Sequence, residues 1–451
     1  MTGQQASKAG AAQDFEARLS ELDARDVHIG IFDPDGMFRH KLVSADKAKK
    51  LATKGYAFCD VLYFWDIAEK TYADSAYIDR PATLFADTVR RYPFADQAAL
   101  CIADFDGEFG LLSPRNQCLR MLSEIDKLGW RANSAFEFEF FVFDETPESL
   151  RAKRFEGLKH FAQGNRTYSL GTAALHGDLL AGLKSTMTTL DIGLDAIHTE
   201  LGPGCFEVPL LYAGGIKAAD DAALFKNFAK AFFLRNGLTA AFMSKLSPDL
   251  PGQSGHLHVS LLSKDGRPLF YDPQGPNGLS QLALHFIGGL VTLMPEWLAL
   301  CSHTVNAYKR MVPGAWAPTA ANWGVQNRTA ALRIINDTPE ATRIEFRVPS
   351  ADTNPYLALA MCLGAGLWGI QNKINPPAGS SENLYAAVPK PESEFPSDLG
   401  SAAQRFSDSS AARATFGDVF VDAFVAARKF EDAEYRRQVS PWEIRRYIEV
   451  V

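Results

Sequence analysis

A chain of 451 residues is too long for one simple core, so two or more domains are expected. Hydrophobic residues make up 47% and charged residues 22%, the balance of a folded globular protein rather than a disordered one. The formal net charge of −7 argues against a nucleic-acid binder, and no stretch is expected to supply the roughly 18 continuous apolar residues of a membrane span. The six cysteines (Cys59, Cys101, Cys118, Cys205, Cys301, Cys362) are scattered without zinc-ligand spacing. They read as reduced thiols, mostly core fillers, in a cytoplasmic protein.

In chain order, Met1 to Asp14 is polar and rich in small residues, unlike a secretory signal, and is expected to fray. A helix is expected over 15–24. Val27 to Ile31 and Phe38 to Val43 predict two strands around the turn Asp33-Pro34-Asp35-Gly36. Ala45 to Lys54 predicts a helix and Ala98 to Ala103 a further strand, which gives a small α+β unit. Ser113-Pro114 opens a helix running to about Lys127, with serine as cap and proline in the first turn.

The segment Ala135 to Phe143 alternates with period two and reads as a half-buried strand. Phe136, Phe138 and Phe140 cover one face, and Glu137 and Glu139 stand side by side on the other. Two such acids repel when buried, and a cation would resolve the conflict; a solvated strand face is the alternative. Beyond it, Glu200 and Glu207 flank the turn Gly202-Pro203-Gly204, which can fold back and bring them together. His256, His258 and Ser260 alternate with apolar residues and share a strand face, with Gly255 before them. Long helices are expected around 217–247 and 279–300, and a buried helix over Ala358 to Ile370. Asn306 to Gly314 carries Lys309 and Arg310 before a Pro-Gly turn, Arg328 and Arg333 follow, and Arg343, Glu345 and Arg347 share one strand face. Residues 375–381 read as a loop, 388–400 as a proline-rich exposed stretch, and 421–449 as helical with a break at Ser440-Pro441. Acids suited to hard divalent cations, next to arginines suited to carboxylate and phosphate oxygens, describe phosphoryl-transfer chemistry. There is no P-loop and no kinase signature.

These segments resemble the glutamine synthetase family. The resemblance rests on E-x-E-F-F-x-F at 137–143, E-x-x-P-G-x-F-E at 200–207 and G-H-x-H-x-S-L at 255–261. It extends through N-x-Y-K-R-x-V-P-G at 306–314, N-R-x-x-x-x-R at 327–333, R-I-E-x-R-x-P at 343–349 and N-P-Y-L-A at 354–358. It implies an α+β fold: a β-grasp domain over 15–112, then a catalytic domain over 113–451 whose antiparallel sheet forms a funnel-shaped site. It also implies a ring-shaped homo-oligomer, a dodecamer of two rings, with active sites between neighbouring subunits. Two or more Mg2+ or Mn2+ ions per site are implied, with ATP as co-substrate. Glu139, Glu200 and Glu207 resemble the ligands of one ion, and Glu137, His256 and Glu345 those of another. Arg310 and Arg347 resemble the clamps on the α-carboxylate of L-glutamate, and Gly252 belongs to the loop holding the same substrate. Arg328 and Arg333 resemble phosphate-stabilising residues, with Arg333 also placed at ATP. Tyr212, His258, Ser260 and Arg343 resemble the nucleotide contacts. The implied reaction phosphorylates the γ-carboxylate of glutamate and then lets an amine displace phosphate.

Four departures bear on the acceptor and on glutamate. Ammonia-using members carry P-G-x-E-A-P, whose glutamate helps deprotonate ammonium, where this chain has Pro313-Gly314-Ala315-Trp316-Ala317-Pro318. An indole is no base but can hold an alkylammonium by cation–π contact, so an organic amine is the expected acceptor, a monoamine before a polyamine. The alternatives are that Trp316 only packs and the enzyme is an ordinary ammonia-using glutamine synthetase, or that the chain is an inactive member with a binding role. Cys205 replaces the glutamine of P-G-Q-x-E, and Pro251-Gly252-Gln253-Ser254 replaces the usual Asn-Gly pair before His256. The family's N-terminal F-D-G-S-S aspartate, which enters a neighbour's site, has Asp66 or Asp60 as its stand-in here.

Overall fold

The computed structural model describes residues 3–451. It is a mixed α and β fold with two sheets. The first sheet is built from β1 (Asp26–Phe32), β2 (Phe38–Ser44), β3 (Tyr56–Cys59), β4 (Asp79–Leu84), β5 (Arg90–Arg91) and β6 (Ala98–Phe105). Its order is β2-β1-β6-β4-β3, with β5 also on β6, and β1 runs parallel to β6. The turn between β1 and β2 closes on Asp33, whose carboxylate accepts from the amides of Asp35 (3.1 Å) and Met37 (2.9 Å) while Gly36 takes φ +83°. Helix Gly3–Glu21 lays Phe15 and Leu19 into the core beneath this sheet. Residues 3–14, expected to fray, are therefore helical; Met1 and Thr2 lie outside the described residues.

Helix Pro114–Lys127 leads to the second sheet. The Ser113 hydroxyl accepts from the Asn116 amide and Pro114 occupies the first turn, as the sequence predicts. The second sheet contains β7 (Trp130–Phe143), β8 (His198–Thr199), β9 (Cys205–Pro209), β10 (Ala213–Gly214) and β11 (Thr239–Ala241). It also holds β12 (Gly255–Ser263), β13 (Trp323–Val325), β14 (Leu332–Ile335) and β15 (Arg343–Phe346). The order is β13-β14-β15-β12-β7-β9-β8, with β10 and β11 also on β7, and every pairing except β13 with β14 is antiparallel.

The central strand β7 buries its aromatic face. Phe138 stacks on Phe225 of helix Lys217–Arg235 with centroids 6.0 Å apart, and Phe140 stacks on Phe242 at 4.8 Å. The opposite face of β7 is left to the acids. The helix expected over 217–247 stops at Arg235. Asn236-Gly237 turns the chain, with Gly237 at φ +73°, and Thr239–Ala241 pairs with β7 instead.

Helices Gln281–Trp297 and Pro355–Gln371 pack against one another in the core. A Cβ on Gly289 would sit 2.1 Å from the Ala365 carbonyl, so the two backbones need glycine to approach this closely. Gln281–Leu300 is long and apolar enough to pass for a membrane span by length and composition, but it is interrupted by His285 and Glu296, and 67% of its most apolar window is buried inside the fold. The stretch 388–400 is not simply exposed. Phe395 is buried, and its amide donates to the Thr319 carbonyl at 3.2 Å.

Candidate active site

The register of the second sheet assembles the site. Glu137 lies opposite His256 across β7 and β12, and Glu139 lies opposite Glu207 across β7 and β9. His258 pairs in register with Glu345 on β15. A row of acids and imidazoles thus crosses four adjacent strands, β15-β12-β7-β9, on the face that the phenylalanines leave free. The Gly-Pro-Gly turn folds back as the sequence predicts. The Glu200 amide bonds to the Cys205 carbonyl at 3.0 Å, and the buried Asn165 amide ties the carbonyls of Glu200 (3.1 Å), Gly202 (3.0 Å) and Cys205 (3.2 Å) together. Gly204 permits the turn; a Cβ there would meet the Phe161 carbonyl at 2.4 Å.

His198, Glu200 and Glu207 offer ligand atoms all within 4.8 Å of one another. His198 Nε2 is 3.5 Å from Glu207 and its Nδ1 3.9 Å from Glu200. His198, the first residue of β8 and two before Glu200, carries no motif that would have marked it in the sequence. Burial pushes the Glu207 carboxyl up, and the charges of Glu137 and Glu139 push it further. Burial also raises Glu200, with Glu139 adding to the effect. Glu137 is held well below the usual carboxylate range, because the adjacent imidazoles of His256 and His258 outweigh its burial. His256 is buried with neither ring nitrogen hydrogen-bonded, and its Nδ1 lies 3.6 Å from Glu137 and 3.7 Å from Glu345. Orphaned imidazole nitrogens beside crowded carboxylates are a donor set that fits divalent cations.

Two cavities open onto this row. One, of about 310 Å³, is floored by Glu137, Glu139, Glu200 and Glu207 and walled by Gly252, Arg310, Trp316, Arg328 and Arg347. The other, of about 550 Å³, is lined by Tyr212, His258, Ser260, Arg343 and Asn133, and again by Glu137. The first is small for a ligand site and the second mid-sized.

Around the first cavity, Arg310 is buried with its guanidinium donating to the carbonyls of Val348 (3.0 Å) and Arg347 (3.2 Å); burial lowers its pKa. Arg347 is ion-paired with Glu345, which also accepts from Arg333 at 2.9 Å. Despite burial, His256 and Arg347 bring the Glu345 carboxyl down to about 2. Gly252 has no room for a side chain, since a Cβ would meet Arg310 Cγ at 2.6 Å. Cys205 sits behind the acids and donates to the buried Gln253 amide oxygen at 3.2 Å. Burial holds its thiol far up, as do the nearby charges of Glu139 and Glu200. Around the second cavity, the Arg343 Nε donates to His258 Nδ1 at 3.2 Å.

Four expected site residues line neither cavity: Glu345, which lies 3.7 Å from His256 Nδ1, and Arg333, Asp66 and Asp60. Arg333 is turned to Glu345 and to Gln326 (3.1 Å). Asp66 accepts from the amides of Ala68 (2.9 Å) and Lys70 (2.8 Å) within its own loop. Asp60 is buried in an ion pair with Arg80 at 2.8 Å. Trp316 stands at the cavity rim, 63% exposed, with a left-handed backbone at φ 55°. Its ring meets Tyr385 edge to face, centroids 5.9 Å apart. Nothing in the sequence singled out Tyr385, which lies in an irregular segment.

The family model described as "Glutamine synthetase, catalytic domain" matches residues 111–447. A glutamate–isopropylamine ligase of Pseudomonas sp is 33% identical over 436 residues, 94% of this chain and 95% of that protein. A gamma-glutamylethanolamide synthetase, GlnA4 of Streptomyces coelicolor, is 33% identical over 399 residues, 88% of this chain and 82% of that one. A glutamine synthetase of Thermus thermophilus is 33% identical over 341 residues, 74% of this chain and 75% of that one. The solved structure of GmaS without ligand superposes with a TM-score of 0.84 at 27% identity, covering 96% of this chain and 99% of that one. With a catalytic-domain match across three quarters of its length and an acid–imidazole sheet face beneath two cavities that share Glu137, this chain belongs to the glutamine synthetase family.

Proposed function

We propose that the protein is an ATP-dependent ligase that joins the γ-carboxylate of L-glutamate to an organic amine through a γ-glutamyl phosphate. The observation that carries the reading is the sharing of Glu137 between the two cavities. A nucleotide in the larger cavity and an amino acid in the smaller would meet at that residue, which is where a γ-phosphoryl group must pass to a γ-carboxylate.

In this reading the larger cavity takes ATP through Tyr212, His258, Ser260 and Arg343. Arg310 and Arg347 face the smaller cavity and hold the glutamate α-carboxylate, with Gly252 leaving room for the Arg310 side chain. Arg328, on the wall of the same cavity, faces the transferring phosphoryl group. Arg333 fixes Glu345 rather than reaching phosphate, an adjustment made by its 2.9 Å ion pair. Glu139, Glu200 and Glu207, with His198 beside them, would hold one Mg2+ or Mn2+; Glu137, His256 and Glu345 would hold a second. Bound there, such ions neutralise the phosphate oxygens. The bond from glutamate oxygen to the γ-phosphorus forms as the bond to ADP breaks; the amine nitrogen then attacks the acyl carbon and phosphate leaves.

Organic amine rather than ammonia is supported by the wall that faces the acceptor. The only carboxylates lining the smaller cavity are the four on its floor, and at the rim an indole stands where ammonia-using members have an acid. The relatives named as a glutamate–isopropylamine ligase and a gamma-glutamylethanolamide synthetase support the same choice. A cavity of about 310 Å³ that must also hold glutamate favours a small monoamine. The division into a β-grasp unit over 15–112 and a catalytic unit over 113–451 belongs to this reading, supported by a separate apolar core from Phe15 to Phe105. Ring assembly as a dodecamer is supported by the exposed apolar residues Trp442, Ile448, Val450 and Val451 at the C-terminus, and a cytoplasmic setting by the six free thiols. For Asp66 to act in a neighbour's site its loop would have to release the carboxylate.

The deciding experiment is phosphate release from ATP with glutamate and a panel of amines that includes ammonia. Turnover with an organic amine should exceed that with ammonia; the reverse would return the chain to the ammonia-using reading. Light scattering on the purified protein tests the ring.

A further inference from the structure

Trp316 poses a physical problem. A non-glycine residue at φ 55° occupies a sparsely populated backbone region and persists there only where its surroundings hold it. An indole 63% exposed gains little from packing. The turn before it has Gly314 at φ +79°, where a Cβ would meet nothing within 4 Å, and is closed by one hydrogen bond, from the Ala315 amide to the Val312 carbonyl at 3.2 Å.

What braces Trp316 is Tyr385. The phenol ring meets the indole at an interplanar angle of 76°, the edge-to-face arrangement favoured by ring quadrupoles. Tyr385 is itself anchored to the segment that carries Arg328. Its hydroxyl donates to the Arg328 carbonyl at 3.3 Å, and the neighbouring Leu384 amide donates to Thr329 at 2.9 Å. Asn327 donates to the carbonyls of Ser380 (3.0 Å) and Glu382 (2.9 Å), which fixes the same segment from its other end.

We propose that Tyr385 is the positioning residue of the amine site: it holds Trp316 in place as the wall for the amine's alkyl group and ties that wall to the segment bearing Arg328. The inference rests on the amine-ligase reading above. Tyr385 touches no substrate in this account; it acts through the indole. Alkylamines therefore depend on it, whereas ammonia, which has no alkyl group to place against an indole, does not.

The test compares kcat/KM for ammonia, methylamine, ethylamine and isopropylamine in the wild type, Tyr385→Ala, Tyr385→Leu and Tyr385→Phe. Loss of the ring should lower the alkylamine-to-ammonia ratio by about tenfold, the scale at which apolar pockets discriminate, with a larger effect for the larger alkyl group. Tyr385→Leu keeps the bulk and should fail like alanine, and Tyr385→Phe keeps the ring and should rescue the ratio. The KM for glutamate should not rise in step. Unchanged ratios, equal losses for ammonia and alkylamines, or a phenylalanine variant that behaves like alanine would each overturn the inference while leaving the amine-ligase reading intact. A wild type that turns over ammonia best overturns both. Should the alanine variant not fold, the leucine and phenylalanine pair decides alone.

Discussion

Glu207 stands directly across the β7–β9 register from Glu139, and burial together with the charges of its neighbours favours its protonated form. The sheet thus concentrates carboxylates on one face at an electrostatic cost that a divalent ion would remove. Removing one of these acids should act in opposite directions with and without metal. In chelator, Glu207→Gln relieves like-charge repulsion and should melt at or above the wild-type temperature. With saturating Mg2+ or Mn2+, the wild type should gain about 3 kcal/mol at one hundred times the dissociation constant, and the variant should lose most of that gain. Thermal melts with a metal titration check both arms. An equal metal response in wild type and variant would remove Glu207 from the ligand set.

Trp316→Glu supplies the acid that the rim lacks. At 63% exposure the position accepts a charge without a large desolvation cost. The variant should raise ammonia turnover relative to alkylamine turnover by roughly tenfold, less than the roughly hundredfold or more that a well-placed general base contributes. Phosphate release with each amine measures it. An unchanged ratio would show that Trp316 does not face the acceptor.

Much of this site was legible because strands have period two. The faces of β7 and β12 followed from alternation, and so did the grouping of Arg343, Glu345 and Arg347. The fold-back at Gly202-Pro203-Gly204 followed from turn chemistry. What stayed hidden depends on long-range docking. Tyr385 reaches Trp316 only because Asn327 and Thr329 capture an irregular segment more than 50 residues away in sequence. The anchoring of Phe395 comes from pairing with Thr319, which no local pattern encodes. The overlong helix at 217–247 shows a local pattern overridden: its last residues remained apolar, but β7 needed a partner strand.

A buried ion pair ties three helices together in the core: Pro114–Lys127, Lys217–Arg235 and Pro355–Gln371. Arg115 donates twice to Asp220, at 2.8 and 3.0 Å, and Tyr356 donates to the same carboxylate at 2.7 Å. All three residues are buried. Asp220→Ala would strand a guanidinium in apolar surroundings and should cost about 3–5 kcal/mol, whereas replacing the pair together with apolar residues should cost much less. Urea denaturation of the single variant and of the Arg115→Met, Asp220→Leu double variant checks this. Additive losses in the double variant would show that the two residues act independently.

His28 carries the clearest pH signature. Its ring stacks on Tyr92, centroids 3.9 Å apart, and its Nδ1 lies 3.3 Å from that of His40. Burial and the neighbouring His40 bring its pKa down from 6.5 to about 4, against a weaker opposing pull from Asp26. The folded state therefore binds the proton more weakly than the unfolded chain. Stability from this group is complete above pH 6.5 and declines as the pH falls towards 4. The full shift would correspond to about 3 kcal/mol, and solvent access on the His40 side reduces the expected loss to about 1–2 kcal/mol. His28→Phe keeps a ring for Tyr92 and removes the titration. Between pH 7 and pH 5 its melting temperature should fall less steeply than that of the wild type. Parallel curves would mean that His28 titrates alike in the folded and unfolded chain.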